Sequence, residues 1–151
     1  MNIYLAGPLF SVAERAFLDG VAARLRGAGY EVFVPHEQIS EQLSVSAEEV
    51  YRVDLAGLKG ASAVLAWIDG PVIDDGTAVE IGIFTQLVAS DPVRWRGIVA
   101  IATDLRLHRR RGVLPGDGVN LFAAGAIRSV GEIVWSVDEA LAALARLASR
   151  M

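Results

Sequence analysis

The chain reads as an open, parallel α/β sheet of about five strands with helices on both faces. Short apolar runs alternate with stretches of helical periodicity along most of its length, the rhythm of strand–helix–strand units joined by right-handed crossovers. Apolar residues make up 53% of the sequence, yet no run approaches the ~20 residues of a membrane span. That surplus fits a parallel sheet covered on both faces, together with a subunit interface.

Ile3 to Ala6 is the first strand, stopped by Gly7-Pro8. A helix from Ala13 to Ala28 follows, with Phe17, Val21 and Leu25 on one face and Gly29 as its stop signal. Tyr30 to Val34 is the second strand, ended by Pro35, and Ile39 to Leu43 reads as loop. Ser46-Ala47-Glu48-Glu49 starts a helix with acids in its first turn, and the periodic positions Val50, Val53, Leu55 and Leu58 carry it to Gly60. The third strand is Ala61 to Trp67, and the next helix runs from Thr77 to about Ala89. Ile98 to Ala102 is the fourth strand, Ile133 to Trp135 a short fifth, and Val137 to Leu147 a closing helix capped by Ser136 or Ser129. Asp104 to Gly118, with Arg109-Arg110-Arg111 and Pro115-Gly116-Asp117-Gly118, is the one long irregular loop, a length commonly associated with function or motion.

At 151 residues the chain suits a single domain spanning residues 1–151. Fourteen Lys and Arg against 18 Asp and Glu give a net charge of -4, which offers no footprint for nucleic acid or an anionic membrane. The absence of cysteine excludes disulfides, thiolate metal sites and cysteine nucleophiles. Met1-Asn2-Ile3-Tyr4-Leu5 enters a strand without a basic leader, so the expected location is cytoplasmic. His36 and His108 have no partner spacing that suggests a metal site; neither a metal nor a cofactor is expected.

The most informative stretch lies between the third strand and its helix, Ile68-Asp69-Gly70-Pro71-Val72-Ile73-Asp74-Asp75-Gly76-Thr77-Ala78-Val79-Glu80-Ile81-Gly82. Its acids fall where an open α/β sheet holds ligands. Glu80, among Val79, Ile81, Ile83 and Phe84, is partly desolvated, while the helix N-terminus beside it favours its charged form. That combination suits a nucleophile. Receiver-type magnesium binding needs an acidic pair after the first strand, where this chain has Gly7-Pro8. A dinucleotide module needs a three-glycine turn there, and Pro8 removes a backbone donor.

Four motifs in order, Tyr4-Leu5-Ala6-Gly7-Pro8-Leu9-Phe10, Asp54-Leu55, Asp74-x-Gly76-x-x-x-Glu80-x-Gly82 and Asn120-Leu121-Phe122, resemble those of the nucleoside 2-deoxyribosyltransferase family. The resemblance runs from Met1 to about Gly125. It implies a flavodoxin-like sheet and an enzyme that cleaves the N-glycosidic bond of a 2'-deoxynucleoside and transfers the sugar to another nucleobase, a reaction of nucleotide salvage. It further implies that Glu80 is the nucleophile at C1', that Asp54 handles the proton on the base, and that Tyr4 positions the nucleophile. Asp74 would accept from a sugar hydroxyl, and Gly7, Phe10, Gly76 and Phe122 would contact substrate. Asn120 would be donated into a neighbouring subunit's site, which implies a homo-oligomer, dimer-based and extending to a tetramer or hexamer, with shared sites. Related deoxynucleotide hydrolases resemble the family with a small hydroxyl residue at the Asp74 position, so the acid here favours unphosphorylated nucleosides.

The chemistry agrees with these roles. Breaking a C1'–N bond generates oxocarbenium character, and a carboxylate below the ring can stabilise it or trap it as an ester. The departing base needs a proton, which a carboxyl kept protonated by a second carboxylate can supply. If Glu80 and Asp54 face each other, repulsion raises one pKa and keeps the other group ionised. Plainer roles compete: Asp54 as a solvated helix acid paired with Arg52 or Lys59, Asp74 or Asp75 as a helix cap, Asn120 as a cap or turn residue, and Tyr4 as a core aromatic. The alternative activities are an N-glycosidase acting on nucleosides or their 5'-monophosphates, and a non-catalytic nucleoside sensor.

Overall fold

The computed structural model describes residues 1–38, 45–108 and 118–149. Five parallel strands, β1 (Asn2–Ala6), β2 (Glu31–Phe33), β3 (Ala63–Trp67), β4 (Gly97–Ile101) and β5 (Gly131–Val134), form one sheet in the order β2-β1-β3-β4-β5. That is the flavodoxin-like order, in which the chain reverses direction across the sheet between β1 and β3 and leaves a crevice for ligands.

Alternation along β1 separates two cores. Ile3 and Leu5 face one side with Leu65, Val99 and Ile101, beneath α1 (Val12–Gly27) and α7 (Val137–Ser149). Tyr4 and Ala6 face the other with Val64, Ala66, Ile98 and Ala100, beneath α3 (Ala47–Gly60), α4 (Asp75–Ser90) and α6 (Leu121–Val130). The period of two along each strand and the coverage of both faces explain why the strands read as continuous apolar runs. Two single-turn helices, α2 (Pro35–Gln38) and α5 (Leu105–His108), lie after β2 and β4.

Local chemistry sets the helix ends. Ser11 caps α1 in a reciprocal box: its hydroxyl accepts from Glu14 N at 3.1 Å, and Glu14 Oε2 accepts from Ser11 N at 2.6 Å. Ser46 caps α3 through Glu49 N at 3.2 Å, and the Ser136 hydroxyl accepts from Glu139 N at 3.1 Å at the start of α7. Helix α4 begins at Asp75, two residues before the expected Thr77, because Asp74 rather than a later residue is its cap. The largest difference from the expected elements is α6. Its Leu121-Phe122-Ala123-Ala124-Gly125 start has no acid in the first turn and carries a glycine, so the usual start signals are missing except for the Asn120 cap. The expected loop at 104–118 begins instead with α5; residues 109–117, including Arg109 to Arg111, lie outside the described residues, as does the expected loop at 39–43.

Between β4 and β5 the backbones approach closely. A Cβ at Gly131 would stand 1.7 Å from Ile98 O, and one at Gly97 would stand 2.3 Å from Val130 O, so neither position admits a side chain without parting the strands. No helix among the described residues is long and apolar enough to cross a membrane.

Candidate active site

Glu80 lies on α4 and Asp54 on α3, the two helices that cover the Tyr4 side of the sheet. They line one pocket of about 490 Å³ with Val50, Tyr51, Leu58 and Gly76. Tyr4 lies under it, with no solvent exposure, and donates its hydroxyl to Glu80 Oε1 at 2.5 Å. The structure thus brings together the three expected catalytic residues from three separate segments.

Helical spacing explains the placement. Thr77, Ile81, Phe84 and Val88 are the buried stripe of α4, and Glu80, beside Ile81, lies at the margin of that stripe, half in the core and half in the pocket. On α3 the buried residues are Gly57 and Leu58; Asp54 is one turn earlier, on the same flank. Gly57 is small for a reason: a Cβ there would come within 2.6 Å of the Phe33 ring. Phe33 in turn stacks on Tyr4, with centroids 5.1 Å apart and planes inclined by 14°. The ring of Phe33 is therefore wedged between α3 and the phenol that holds Glu80. Sequence reasoning missed Phe33 and Gly57. The available signal was a glycine three residues after Asp54 on one helical face.

Electrostatics distinguish the two carboxyls. Burial pushes the Glu80 pKa up to about 7; the Tyr4 hydrogen bond opposes this, and the nearby charges of Asp54 and Asp74 add to it. Desolvation therefore outweighs the helix N-terminus that was expected to favour the ionised form. Asp54 is also raised, by burial. Both carboxyls are thus shifted upward, Glu80 to about 7. Tyr4 is pushed far up by burial and by the Glu80 carboxyl, which keeps it a hydrogen-bond donor. Asp54 Oδ1 is buried and has no hydrogen-bond partner among the described residues, an unsatisfied acceptor of the kind retained for a ligand donor. Arg52 reaches Glu49 at 3.5 Å, and among the described residues Asp54 forms no ion pair with Arg52 or Lys59.

Of the remaining candidates Gly76 borders this pocket, whereas Asp74, Gly7, Phe10, Asn120 and Phe122 are not in its lining. Asp74 caps α4: its Oδ2 accepts from Thr77 N at 2.9 Å and from the Thr77 hydroxyl at 3.0 Å. Gly76 is on the pocket wall, and a Cβ there would stand 3.3 Å from Asp74 Oδ2. Gly7 packs against Leu18 and Trp67, where a Cβ would stand 3.0 Å from the Leu18 side chain, so its place is under the turn after β1. Phe10 is 82% exposed on that turn, whose Leu9 and Phe10 carbonyls accept from Arg15 at 2.7 and 3.2 Å. Asn120 caps α6 by accepting from Phe122 N at 2.9 Å and Ala123 N at 3.3 Å. It lines a second pocket with Phe122, Gly82 and Ala78; Glu80 is not in that lining, and Asp75 borders both pockets. Phe122 is 89% exposed. Among the described residues no cluster of His, Cys, Asp and Glu could hold a metal ion.

Three solved structures share the fold. A conserved protein from Enterococcus faecalis V583 superposes with a TM-score of 0.79 at 23% identity, covering 96% of this chain and 97% of that one. The 2-deoxyribosyltransferase of Bacillus psychrosaccharolyticus gives 0.72 at 22% identity over 97% and 96%. The Leishmania mexicana 2-deoxyribosyltransferase gives 0.64 at 19% identity over 99% of both chains. Among curated protein sequences none matches significantly. Residues 3–92, which carry Tyr4, Asp54, Asp74 and Glu80, match the sequence model of the nucleoside 2-deoxyribosyltransferases, and the chain belongs to that family.

Proposed function

We propose that the chain transfers a 2-deoxyribosyl group between nucleobases through a covalent ester on Glu80. The observation that carries this reading is the Tyr4–Glu80 hydrogen bond beside the unpartnered, buried Asp54 oxygen in one pocket. An ionised Glu80 oxygen attacks C1', the C1'–N bond breaks, and its electrons pass to the base nitrogen, which takes a proton from Asp54. A ring nitrogen of the second base then attacks C1', the ester C–O bond breaks, and Glu80 leaves as a carboxylate while Asp54 recovers a proton. Two inversions at C1' give retention. Tyr4 stabilises the carboxylate as nucleophile and leaving group, and Asp74 accepts from a sugar hydroxyl.

A homo-oligomer completes the site. Asn120 and the exposed Phe122 line a pocket that does not include Glu80 of their own chain, which supports their donation to a neighbouring copy. The substrates on this reading are nucleosides and free bases.

The test is to incubate the protein with a 2'-deoxynucleoside, with and without a different free base, and to separate the products by chromatography. A new deoxynucleoside carrying the second base is expected. Free deoxyribose and base regardless of acceptor would make the chain an N-glycosidase, and tight binding without turnover would make it a sensor.

A further inference from the structure

We propose that Thr77 is a positioning residue for sugar recognition, its hydroxyl fixing the Asp74 carboxylate so that Oδ1 is presented to a deoxyribose hydroxyl. The proposal rests on the reading of Asp74 as the sugar acceptor. Thr77 is fully buried, at 1% exposure. A hydroxyl so placed needs a partner, and it has one in Asp74 Oδ2 at 3.0 Å, the same oxygen that accepts from Thr77 N at 2.9 Å.

Capping α4 requires only the backbone bond. The hydroxyl bond is additional to it; Thr85, in the middle of α4, donates instead to the carbonyl of Ile81 at 2.8 Å. With two donors converging on Oδ2, that oxygen is satisfied and rotation of the carboxylate about Cβ–Cγ is resisted. Among the described residues no donor reaches Oδ1, which is left as the free acceptor. Gly76 contributes by absence, since a Cβ there would crowd Oδ2 at 3.3 Å. Asp74 is close enough for its charge to raise the Glu80 pKa, so its carboxylate is within electrostatic reach of the reacting centre.

The experiment compares wild type, Thr77→Val and Thr77→Ser on a 2'-deoxynucleoside and on its 2',3'- and 2',5'-dideoxy analogues, with thermal unfolding measured alongside. Val keeps the volume and the branch at Cβ, and Ser restores the hydroxyl. Thr77→Val is expected to raise KM for the deoxynucleoside about tenfold, the equivalent of one well-aligned hydrogen bond, with a smaller change in kcat, and Ser is expected to recover most of it. The penalty should vanish for the one analogue that lacks the hydroxyl held by Asp74. A helix-capping role alone would lower the melting temperature and leave the variant-to-wild-type ratio of KM the same for all three substrates, which overturns the proposal. If Val prevents folding, the Thr77→Ala to Thr77→Ser ratio of KM gives the same comparison. Wild-type turnover with an unchanged variant overturns the role of Thr77 alone; absence of wild-type turnover on every deoxynucleoside overturns the reading of the site and this proposal with it.

Discussion

Glu80→Gln should remove activity and stabilise the fold, in a pH-dependent way that can be worked out beforehand. A carboxyl moved from an ordinary 4.5 to about 7 on folding binds its proton more tightly in the native state. Its contribution to stability is present in full below pH 4.5 and is lost as pH rises through 7. At about 1.4 kcal/mol per pKa unit, the loss approaches ~3 kcal/mol above pH 8 and is only a few tenths of a kcal/mol at pH 4. Glutamine has nearly the same shape, keeps an oxygen for the Tyr4 hydroxyl, and does not ionise. Urea unfolding of wild type and variant at pH 5 and pH 8.5 isolates the effect. With a slope of about 2 kcal/mol per molar urea, the variant midpoint should exceed wild type by up to about 1.5 M at pH 8.5, and by much less at pH 5. Equal midpoints at both pH values would refute the claim that desolvation dominates at Glu80. Turnover within tenfold of wild type would refute its role as nucleophile.

Other expectations are shorter to state. Because Glu80 must be ionised to attack, kcat/KM of the free enzyme should fall on the acid side with a midpoint near 7; a profile flat from pH 5 to 8 would count against it. Tyr4→Phe removes the bond that opposes the upward shift, so that limb should move to higher pH and the rate at pH 6.5 should drop about tenfold or more, as steady-state kinetics across pH would show. Asp54→Asn should slow poor leaving bases most, measured over a series of bases of rising nitrogen pKa. Gly57→Ala drives a methyl into the Phe33 ring and should cost about 1–3 kcal/mol, with activity falling too because Phe33 supports Tyr4; thermal unfolding beside an activity assay checks both. Asn120→Ala should lose about 1 kcal/mol of capping at α6 and weaken sugar binding in every subunit, and unchanged Michaelis constants would remove the shared-site claim.

The strands were legible because burial on both faces leaves an uninterrupted apolar signature, as at Ala63–Trp67 and Gly97–Ile101. Glu80 and Asp74 were legible because one short segment carries them. Tyr4, Asp54 and Glu80 meet only through the order of β1, β3 and the helices over them, and the motif resemblance supplied that juxtaposition before the packing did. The missing parts have physical reasons. Helix α6 lacks acids at its start and contains Gly125, so periodicity alone could not raise it above a loop. Nothing around Phe33 in the sequence marks it, because its wedge against Gly57 arises from the closeness of α3 to the sheet. The strong upward shift of Glu80 required knowing how deeply α4 is set.

The split of the interior into two cores gives selection two separate ledgers. Every residue of the Tyr4–Glu80–Asp54 constellation belongs to the face under α3 and α4, while Leu18, Val21, Leu25, Ala140, Ala143 and Leu144 fill the opposite face under α1 and α7. Lineages can repack that second face, or a laboratory can evolve it for heat tolerance, without disturbing the chemistry. On the first face the same freedom does not exist, since Tyr4 fills the core and grips the nucleophile at once; there, drift in robustness and drift in catalysis are a single event.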